Sequence, residues 1–376
     1  MTNFIFKKYP ALYDKNFVKF FVSQFLFLSG GFIQNVALSS LILQNTDRKN
    51  ALGIFLFASY LPVFLLSVPV AKLQGRISAK AVLLVSDGIL FAMSLFIAIF
   101  SDLSFLGYVI FGSLWGVVRA FQTPFASSVP KLICDKENLN SGVGAVNLAL
   151  CFSRGIGPVI SGIVYTLFGY STAFFVNAVS FVPSFILVLK TKIPKQKKTE
   201  SKKSKPDIDI WLMITVFAVS FCGSSYNTAF SGIGKSLSLS PIWFSLFMGA
   251  VGVGAVAGAF LKSGTKRLVY SGFVIGALWF CMAFVKNGYI ALFIAFLLGV
   301  CDYLFFTSVL CRINEQNDRG SIAKAMGIYT AVTTGALPTG YLAMSFFTNA
   351  FGIKAALIGC ALVIATVYGA LFSKIR

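Results

Sequence analysis

Long apolar runs alternate with short polar connections along the whole chain. Because a helix that crosses a bilayer needs about 20 mostly apolar residues, we predict six spans in the first half, near 17–44, 51–71, 81–100, 105–128, 141–168 and 171–191. Six more follow near 210–232, 240–261, 268–286, 289–311, 322–349 and 353–373. The pattern therefore predicts an all-α membrane protein of twelve transmembrane helices.

One segment interrupts this pattern between the sixth and seventh spans. The stretch from Lys190 to Asp209 holds eight lysines and two prolines and has no apolar periodicity, which is typical of a solvated linker. We therefore predict an N-terminal six-helix bundle over 1–191, a Lys-rich cytoplasmic linker over 192–209 and a C-terminal six-helix bundle over 210–376. A topology anchor and tether is the favoured role of the linker, and binding of anionic lipid is the alternative.

The distribution of basic residues predicts the orientation. Lys and Arg concentrate in cytoplasmic loops of membrane proteins. With both termini cytoplasmic, only five of the 32 basic residues face outward, namely Arg48, Lys49, Lys235, Lys286 and Lys354. We therefore predict that both termini are cytoplasmic.

Composition supports the membrane class and excludes others. Of 376 residues, 57% are hydrophobic and 12% are charged, with a mean hydropathy of +0.83, whereas soluble chains carry roughly 25% charged residues. The net charge of +20 comes from short clusters between apolar runs, so we predict membrane lipid and no nucleic acid as a partner. There is no histidine, and the seven cysteines show no CxxC pair. We predict neither a metal site nor a cofactor.

Two helices carry a similar short unit. Helix 4 contains Gly116-Val-Val-Arg119 and helix 10 contains Gly299-Val-Cys-Asp302, each about ten residues before the cytoplasmic end of its span. Such similarity between halves is typical of a transporter built from parallel repeats.

The predicted helix 5 carries a long pattern of small residues. It comprises Gly144, Ser153, Gly157, Pro158, Ser161 and Gly162. Small residues at these spacings allow helices to approach closely, and a proline frees a carbonyl that a neighbour must satisfy. The turn between helices 2 and 3 adds Leu73, Arg76 and Lys80.

These segments resemble the major facilitator superfamily, and within it the bacterial drug and siderophore exporters related to enterobactin exporters. The resemblance implies two pseudo-symmetric six-helix bundles in the bacterial inner membrane, which work by alternating access and proton antiport. The sequence departs from the family at two places. Gly75 stands where the loop of the family has an aspartate, and Gly31 stands where some relatives have a carboxylate in helix 1.

Four ionisable residues lie well inside predicted spans: Asp87, Arg119, Arg154 and Asp302. Each would cost about 2.5–3.5 kcal/mol or more in lipid, so these residues should face the bundle interior or a water-filled cavity. In the family, helices 1, 4, 7 and 10 line the central cavity, which implies that Arg119 and Asp302 face each other. We expect Asp302 to bind a proton or a cationic substrate group and Arg119 to bind an anionic group; a structural ion pair is the alternative.

The other two intramembrane charges fit structural roles better. We expect Arg154 to pair with Asp87 or to cap a neighbouring helix, and Asp87 to act as a packing or gating partner near the basic turn. The polar candidates for the cavity are Gln24, Gln34, Asn35, Gln122, Tyr226 and Asn227. Gln34 and Asn35 point about 100° apart on a helix, so only one of them should face the cavity.

The predicted function is secondary active transport. No nucleophile–base pair and no phosphate-cradling Gly-x4-Gly-Lys loop occurs, which argues against an enzyme and against ATP hydrolysis. The resemblance favours proton-coupled export of an amphipathic small molecule, either siderophore or drug-like, by a monomer. An importer of a nutrient or metal chelate and a lipid flippase of the same fold are the alternatives, and a membrane-embedded enzyme is a remote one.

Overall fold

A computed structural model describes residues 9–46, 50–135, 137–194, 207–261, 264–317 and 321–375. Most of the predicted linker, as well as Arg48 and Lys49, lies outside the described residues. The long elements of the described residues are all helices, and a short 3-10 turn at Pro10–Tyr13 precedes the first of them.

Six helices form the first half. They are α1 (Lys15–Asn45), α2 (Ala51–Ala71), α3 (Ala79–Ile99), α4 (Phe105–Ile133), α5 (Leu139–Phe168) and α6 (Tyr170–Lys190). The start of α1 and the end of α6 lie side by side, because the Asn16 side chain donates to the Lys192 carbonyl oxygen at 3.0 Å and accepts from the Lys192 amide at 2.8 Å. We call this side of the bundle the terminus end and the other side the far end.

The second half contains two interruptions, of which the sequence predicted only the second, between the spans 322–349 and 353–373. Helix α7 consists of two pieces, Ile210–Gly223 and Tyr226–Ser236, and α8 (Ile242–Ala259), α9 (Thr265–Ala283) and α10 (Gly288–Gln316) follow. The last element, Ile322–Ile375, is broken at Gly352, where φ is 83° and ψ is 164°. A side chain is disfavoured at that φ, so glycine allows the chain to turn from α11, before Gly352, into α12 after it.

The helices have the length and surface of membrane spans. Among the described residues, nine helices are long and apolar enough to cross a bilayer, and two shorter apolar helices lie at Ala51–Ser67 and Leu268–Ala283. Large apolar side chains such as Leu106, Phe168 and Tyr289 are more than half exposed. In water such a surface would be unfavourable, whereas in a bilayer it faces lipid. The chain is therefore a multi-pass membrane protein.

The repeated glycines make equivalent contacts in the two halves. A Cβ atom at Gly116 of α4 would collide with the Ser59 carbonyl oxygen of α2, and one at Gly299 of α10 would collide with the Val251 carbonyl oxygen of α8. In both halves a glycine therefore lets one helix pack directly on the backbone of another.

The two halves meet through α5 with α8 and through α2 with α11. The α5–α8 contact runs from mid-helix, where Gly252 meets the Arg154 backbone, to the far end, where Tyr165 meets Pro241. The α2–α11 contact includes the Tyr60 and Tyr341 rings, 5.1 Å apart, and ends at Asn50 and Ser345. These contacts close the far end of the space between the halves.

Candidate functional site

A cavity of about 480 Å³ lies between the halves. Its lining residues come mainly from the middle and the terminus-end part of α1, α4, α5, α7, α10 and α11. Most of the wall is aromatic or aliphatic, including Phe27, Phe32, Trp115, Phe181, Tyr303 and Phe306. Three charged side chains interrupt this wall: Arg119, Arg154 and Asp302. A largely apolar pocket with a few placed polar groups is typical of a small-molecule site.

Asp302 lies at the middle of α10 and is 5% exposed. The Tyr226 hydroxyl of α7 donates to Asp302 Oδ2 at 2.8 Å. The nearby cation is Arg154 of α5, whose guanidinium interacts electrostatically with Asp302 and lies 5.9 Å from the centroid of the Tyr226 ring. The Tyr226 ring is itself stacked on Trp279, which holds the hydroxyl in position.

The cation that interacts with Asp302 therefore differs from the expected one. Arg119 does line the cavity, as does Asp302, but Arg154 is the guanidinium that acts on the carboxylate. The expectation that Arg154 pairs with Asp87 is wrong, because α5 directs Arg154 into the cavity. Asp87 lies elsewhere, 2% exposed between α3 and α6, where the Ser184 hydroxyl donates to its Oδ2 at 2.9 Å.

Arg119 is half-buried on the α4 side of the cavity. Within the described part of the chain, no side chain forms a hydrogen bond or ion pair with its guanidinium. Arg119 and Arg154 both interact electrostatically with the Tyr341 hydroxyl. Arg119 thus presents a cation to the cavity.

The polar candidates divide into two groups. Asn35, Tyr226 and Asn227 line the cavity, and the Asn227 Oδ1 has no hydrogen-bond partner among the described residues. Gln34 faces α6 instead, where its Oε1 accepts from Asn177 Nδ2 at 2.8 Å, and it touches only a void of about 30 Å³ beside the cavity.

Gln122 is also away from the cavity. It is 3% exposed, and its Nε2 donates to Gln24 Oε1 of α1 at 3.4 Å. Gln24, Gln34 and Gln122 therefore join helices within the first half. Of the adjacent pair, Asn35 is the one that faces the main cavity.

The small-residue pattern of α5 fits between α1 and α8. On the α1 side, the Ser153 hydroxyl donates to the Phe25 carbonyl oxygen at 3.1 Å and the Ser161 hydroxyl donates to the Ile33 carbonyl oxygen at 2.9 Å. A Cβ atom at Gly157 would meet Ser29 and Phe32 of α1, and one at Gly162 would meet Ser245 of α8. Pro158 lies inside the helix, and Gly144 lies against the Tyr9 ring near the terminus end.

The turn between α2 and α3 is fixed by backbone acceptors. The Lys80 ammonium donates to the carbonyl oxygens of Leu189 and Thr191 at 2.6 and 3.0 Å, at the C-terminal end of α6. A cation there also complements the helix dipole. Gly75 has a φ of 82°, a backbone conformation suited to glycine. Arg76 is exposed in the same turn.

Several cavity residues were missed by the sequence analysis. They are chiefly Asn147, Trp115, Tyr60, Tyr303, Tyr329 and Tyr341. One signal was present on α5, because Asn147, Cys151 and Arg154 are spaced four and three residues apart and so share one face of a helix. That polar stripe, read as a unit, would have directed Arg154 to the cavity.

An all-α membrane protein with a cavity between two halves is the architecture of a transport protein. The sequence model of the Major Facilitator Superfamily matches residues 20–261, and a second model, described as a transmembrane secretion effector, matches residues 233–376. The chain belongs to the Major Facilitator Superfamily. It is a transporter and not an enzyme.

Individual relatives are distant in sequence and close in fold. The chain is 23% identical to the staphyloferrin A transporter of Staphylococcus aureus (strain NCTC 8325 / PS 47), over 89% of this chain and 90% of that protein. A bacterial homolog of the human lysosomal transporter Spinster, solved in an inward-facing and unoccupied conformation, has a TM-score of 0.77 and 11% identity, over 96% of this chain and 98% of that one. A POT family transporter in complex with a thioalcohol-conjugated peptide also has a TM-score of 0.77, with 11% identity and 96% coverage of both chains.

Proposed function

We propose that this transporter exports an amphipathic small molecule, siderophore-like or drug-like, by proton-coupled alternating access. The observation that carries the proposal is the cavity, in which a mainly aromatic wall holds Arg119, Arg154 and Asp302. The wall suits an apolar body, and the charged residues suit an ionised group and a coupling proton. The similarity to the staphyloferrin A transporter supports the siderophore class.

Each cavity residue receives a role from its surroundings. Arg119 binds an anionic substrate group, because no described side chain forms an ion pair with it. Asp302 binds the proton, since it is a buried carboxylate at mid-helix that opens on the cavity. Asn35 and Asn227 supply hydrogen bonds to the substrate, and Tyr226 orients the Asp302 carboxylate.

The orientation and division of the chain complete the proposal. Twelve spans place both termini in the cytoplasm of a bacterial cell, with the protein in the inner membrane as a monomer. Residues 1–191 and 210–376 are the two moving bundles, and 192–209 is the tether. In this orientation the cavity opens to the cytoplasm and the far end is closed, so the structure corresponds to an inward-facing state.

Alternating access requires the closed contacts to separate. The close glycine contacts between α5 and α8, at Gly162 and Gly252, provide the surface on which the bundles rock. The turn with Arg76 and Lys80 holds the ends of α2, α3 and α6 together, so that the first half moves as one body. Asp87, Gln34 and Gln122 serve the same purpose, because their hydrogen bonds join helices of that half.

The test is transport in proteoliposomes with an imposed pH gradient. An iron-free siderophore and a cationic dye are offered separately to wild type, Asp302→Asn, Arg119→Gln and a control variant, Asp102→Asn. The Asp102 side chain is exposed in the α3–α4 turn. We expect siderophore movement to follow the gradient in wild type and control, to become indifferent to the gradient in Asp302→Asn, and to be lost in Arg119→Gln.

Three results would change the proposal. Gradient-driven movement that persists in Asp302→Asn removes the coupling role of Asp302. Movement only inward under a cell-like gradient and membrane potential would favour the importer of a nutrient or metal chelate, and movement of labelled lipid would favour a flippase.

A further inference from the structure

The cavity wall carries more positive than negative charge. Among the described lining residues, Arg119 and Arg154 are the cations and Asp302 is the single acid. The two arginines are not equivalent. Arg154 interacts electrostatically with Asp302, whereas Arg119 lies on the α4 side of the cavity. Both guanidiniums line the cavity and interact electrostatically with the Tyr341 hydroxyl.

Arg154 belongs to the first half of the molecule, and the carboxylate with which it interacts, Asp302, belongs to the second. Its backbone packs on Gly252, and its guanidinium lies over the Tyr226 ring. Among the described residues no side chain donates to or accepts from it through a hydrogen bond. The charge of Arg154 is therefore offset through space by Asp302, and only while that carboxylate is ionised.

We propose that Arg154 is a second anion-binding residue that becomes available when Asp302 is neutral, so that the site takes a substrate with two anionic groups on an apolar body. The inference rests on the proposed transport function and names its substrate class more narrowly. Arg119 receives the first anionic group in either protonation state of Asp302. Arg154 receives the second group once a proton has removed its competitor.

The physical reason is competition for one guanidinium. An ionised Asp302 attracts Arg154 and repels a substrate anion, and a protonated Asp302 does neither. The other titratable groups around Asp302 are Tyr226 and Cys222 of α7 and Cys301 of its own helix, and none of these is a cation that could replace Arg154. Since coupling between two ligands is reciprocal, the anion must also favour binding of the proton.

This coupling between proton and anion decides whether the two cross the membrane in the same direction. The proton accompanies the anionic substrate instead of being exchanged for it. A dianion with one proton carries a net negative charge, and an inside-negative membrane potential draws that charge outward. Export can then be driven by the potential, although the proton travels with the substrate.

The experiment measures binding of two matched probes to purified protein by titration calorimetry at neutral pH. The probes are biphenyl-4,4′-dicarboxylate and biphenyl-4-carboxylate, which share an apolar body and differ by one anionic group. The variants are Asp302→Asn, which stands for the neutral acid at nearly constant shape, Arg154→Gln, Arg154→Lys, the double variant Asp302→Asn with Arg154→Gln, and Arg119→Gln. Thermal unfolding of each variant is measured beside the binding.

We expect Asp302→Asn to bind the dicarboxylate about tenfold tighter than wild type, since one charge-assisted contact is gained. Binding of the monocarboxylate should tighten much less, since only the repulsion by Asp302 is removed. The double variant of Asp302→Asn with Arg154→Gln should lose the gain. A second double variant, Asp302→Asn with Arg154→Lys, is added to the set and should keep part of it. Arg119→Gln should weaken both probes.

Four outcomes overturn the inference. An equal change for both probes in Asp302→Asn would mean that no second anion site opens. A gain that persists in the double variant would assign it to a residue other than Arg154. If neither probe binds to any variant, the anionic substrate class of the proposed function fails as well. If the monocarboxylate binds through Arg119 but the dicarboxylate shows no gain in Asp302→Asn, this inference alone fails.

Discussion

The closed far end depends on a tyrosine hydroxyl that joins the two halves. Tyr165 of α5 donates to the carbonyl oxygen of Pro241 at 2.8 Å and shares a hydrogen bond of 2.9 Å with Ser245 Oγ, both at the start of α8. Removal of the hydroxyl in Tyr165→Phe deletes both bonds. A net contribution of about 0.5–1.5 kcal/mol each gives about 1–3 kcal/mol, which raises the ratio of open to closed far end by roughly 5- to 150-fold.

The assay is hydrogen–deuterium exchange of the protein in nanodiscs, followed on peptides from the end of α5 and the start of α8. The control is Tyr170→Phe, because Tyr170 shares its 3.0 Å hydrogen bond with Ser40 inside the first half. The rings of Tyr165 and Tyr170, with centroids 4.9 Å apart, remain in both variants. Exchange at the start of α8 should rise in Tyr165→Phe alone. Equal exchange in the two variants would refute the assignment of Tyr165 to the closure.

Three further substitutions test other parts of the account. Gly31→Asp should fold normally, since a Cβ atom there meets nothing within 4 Å. Its added negative charge in the cavity wall should weaken binding of an anionic probe in calorimetry, whereas the neutral control Gly31→Asn should leave binding unchanged. Ser184→Ala should lower the free energy of unfolding by about 1–3 kcal/mol in detergent, because the buried Asp87 carboxylate loses its donor; Ser184→Thr should restore most of that loss. Lys80→Ala should lower the unfolding temperature through loss of the α6 cap, and no change relative to Lys72→Ala, an exposed lysine of the same turn, would contradict this.

The helices that face lipid were predictable because bilayer thickness fixes their length. The predicted spans 51–71 and 171–191 lie within a residue of the observed α2 and α6. At the terminus end, the length of the apolar run does not predict where a helix ends. Helix α10 continues to Gln316, five residues beyond the predicted limit, since backbone hydrogen bonding does not stop at the membrane surface and Arg312 pairs there with Asp209 at 3.5 Å.

The interruption of α7 had no clear local signal. Gly223, Ser224 and Ser225 lie at the break, where the Ser224 hydroxyl donates to the Phe221 carbonyl oxygen at 2.6 Å. Gly340 of α11 packs directly on Ser224. The contact that accompanies the break comes from a helix more than a hundred residues away, which a pattern of single residues along α7 does not contain.

The sequence predicted which charged residues line the cavity better than it predicted which of them interact with each other. Bilayer energetics alone indicates that an arginine or aspartate inside a span must face the interior, and Arg119, Arg154 and Asp302 do line the cavity. The choice between the two arginines as neighbour of Asp302 depends on how far α5 reaches across toward α10. That distance is set by the close α5–α8 packing at Gly252, a tertiary contact that no short motif records.

The closed end and the cavity use different kinds of interaction, and this difference bears on switching. The polar contacts that the described residues make across the far end are neutral, as at Tyr165 with Pro241 and Asn50 with Ser345. A few such bonds, each about 0.5–1.5 kcal/mol, are within the range of a ligand's differential affinity, because about 5.5 kcal/mol moves a two-state equilibrium from 1:99 to 99:1. An ion pair at the far end would have to be desolvated and broken in each cycle. Because Arg119, Arg154 and Asp302 line the cavity, their state can change with substrate and proton, and the neutral contacts of the far end are weak enough to respond.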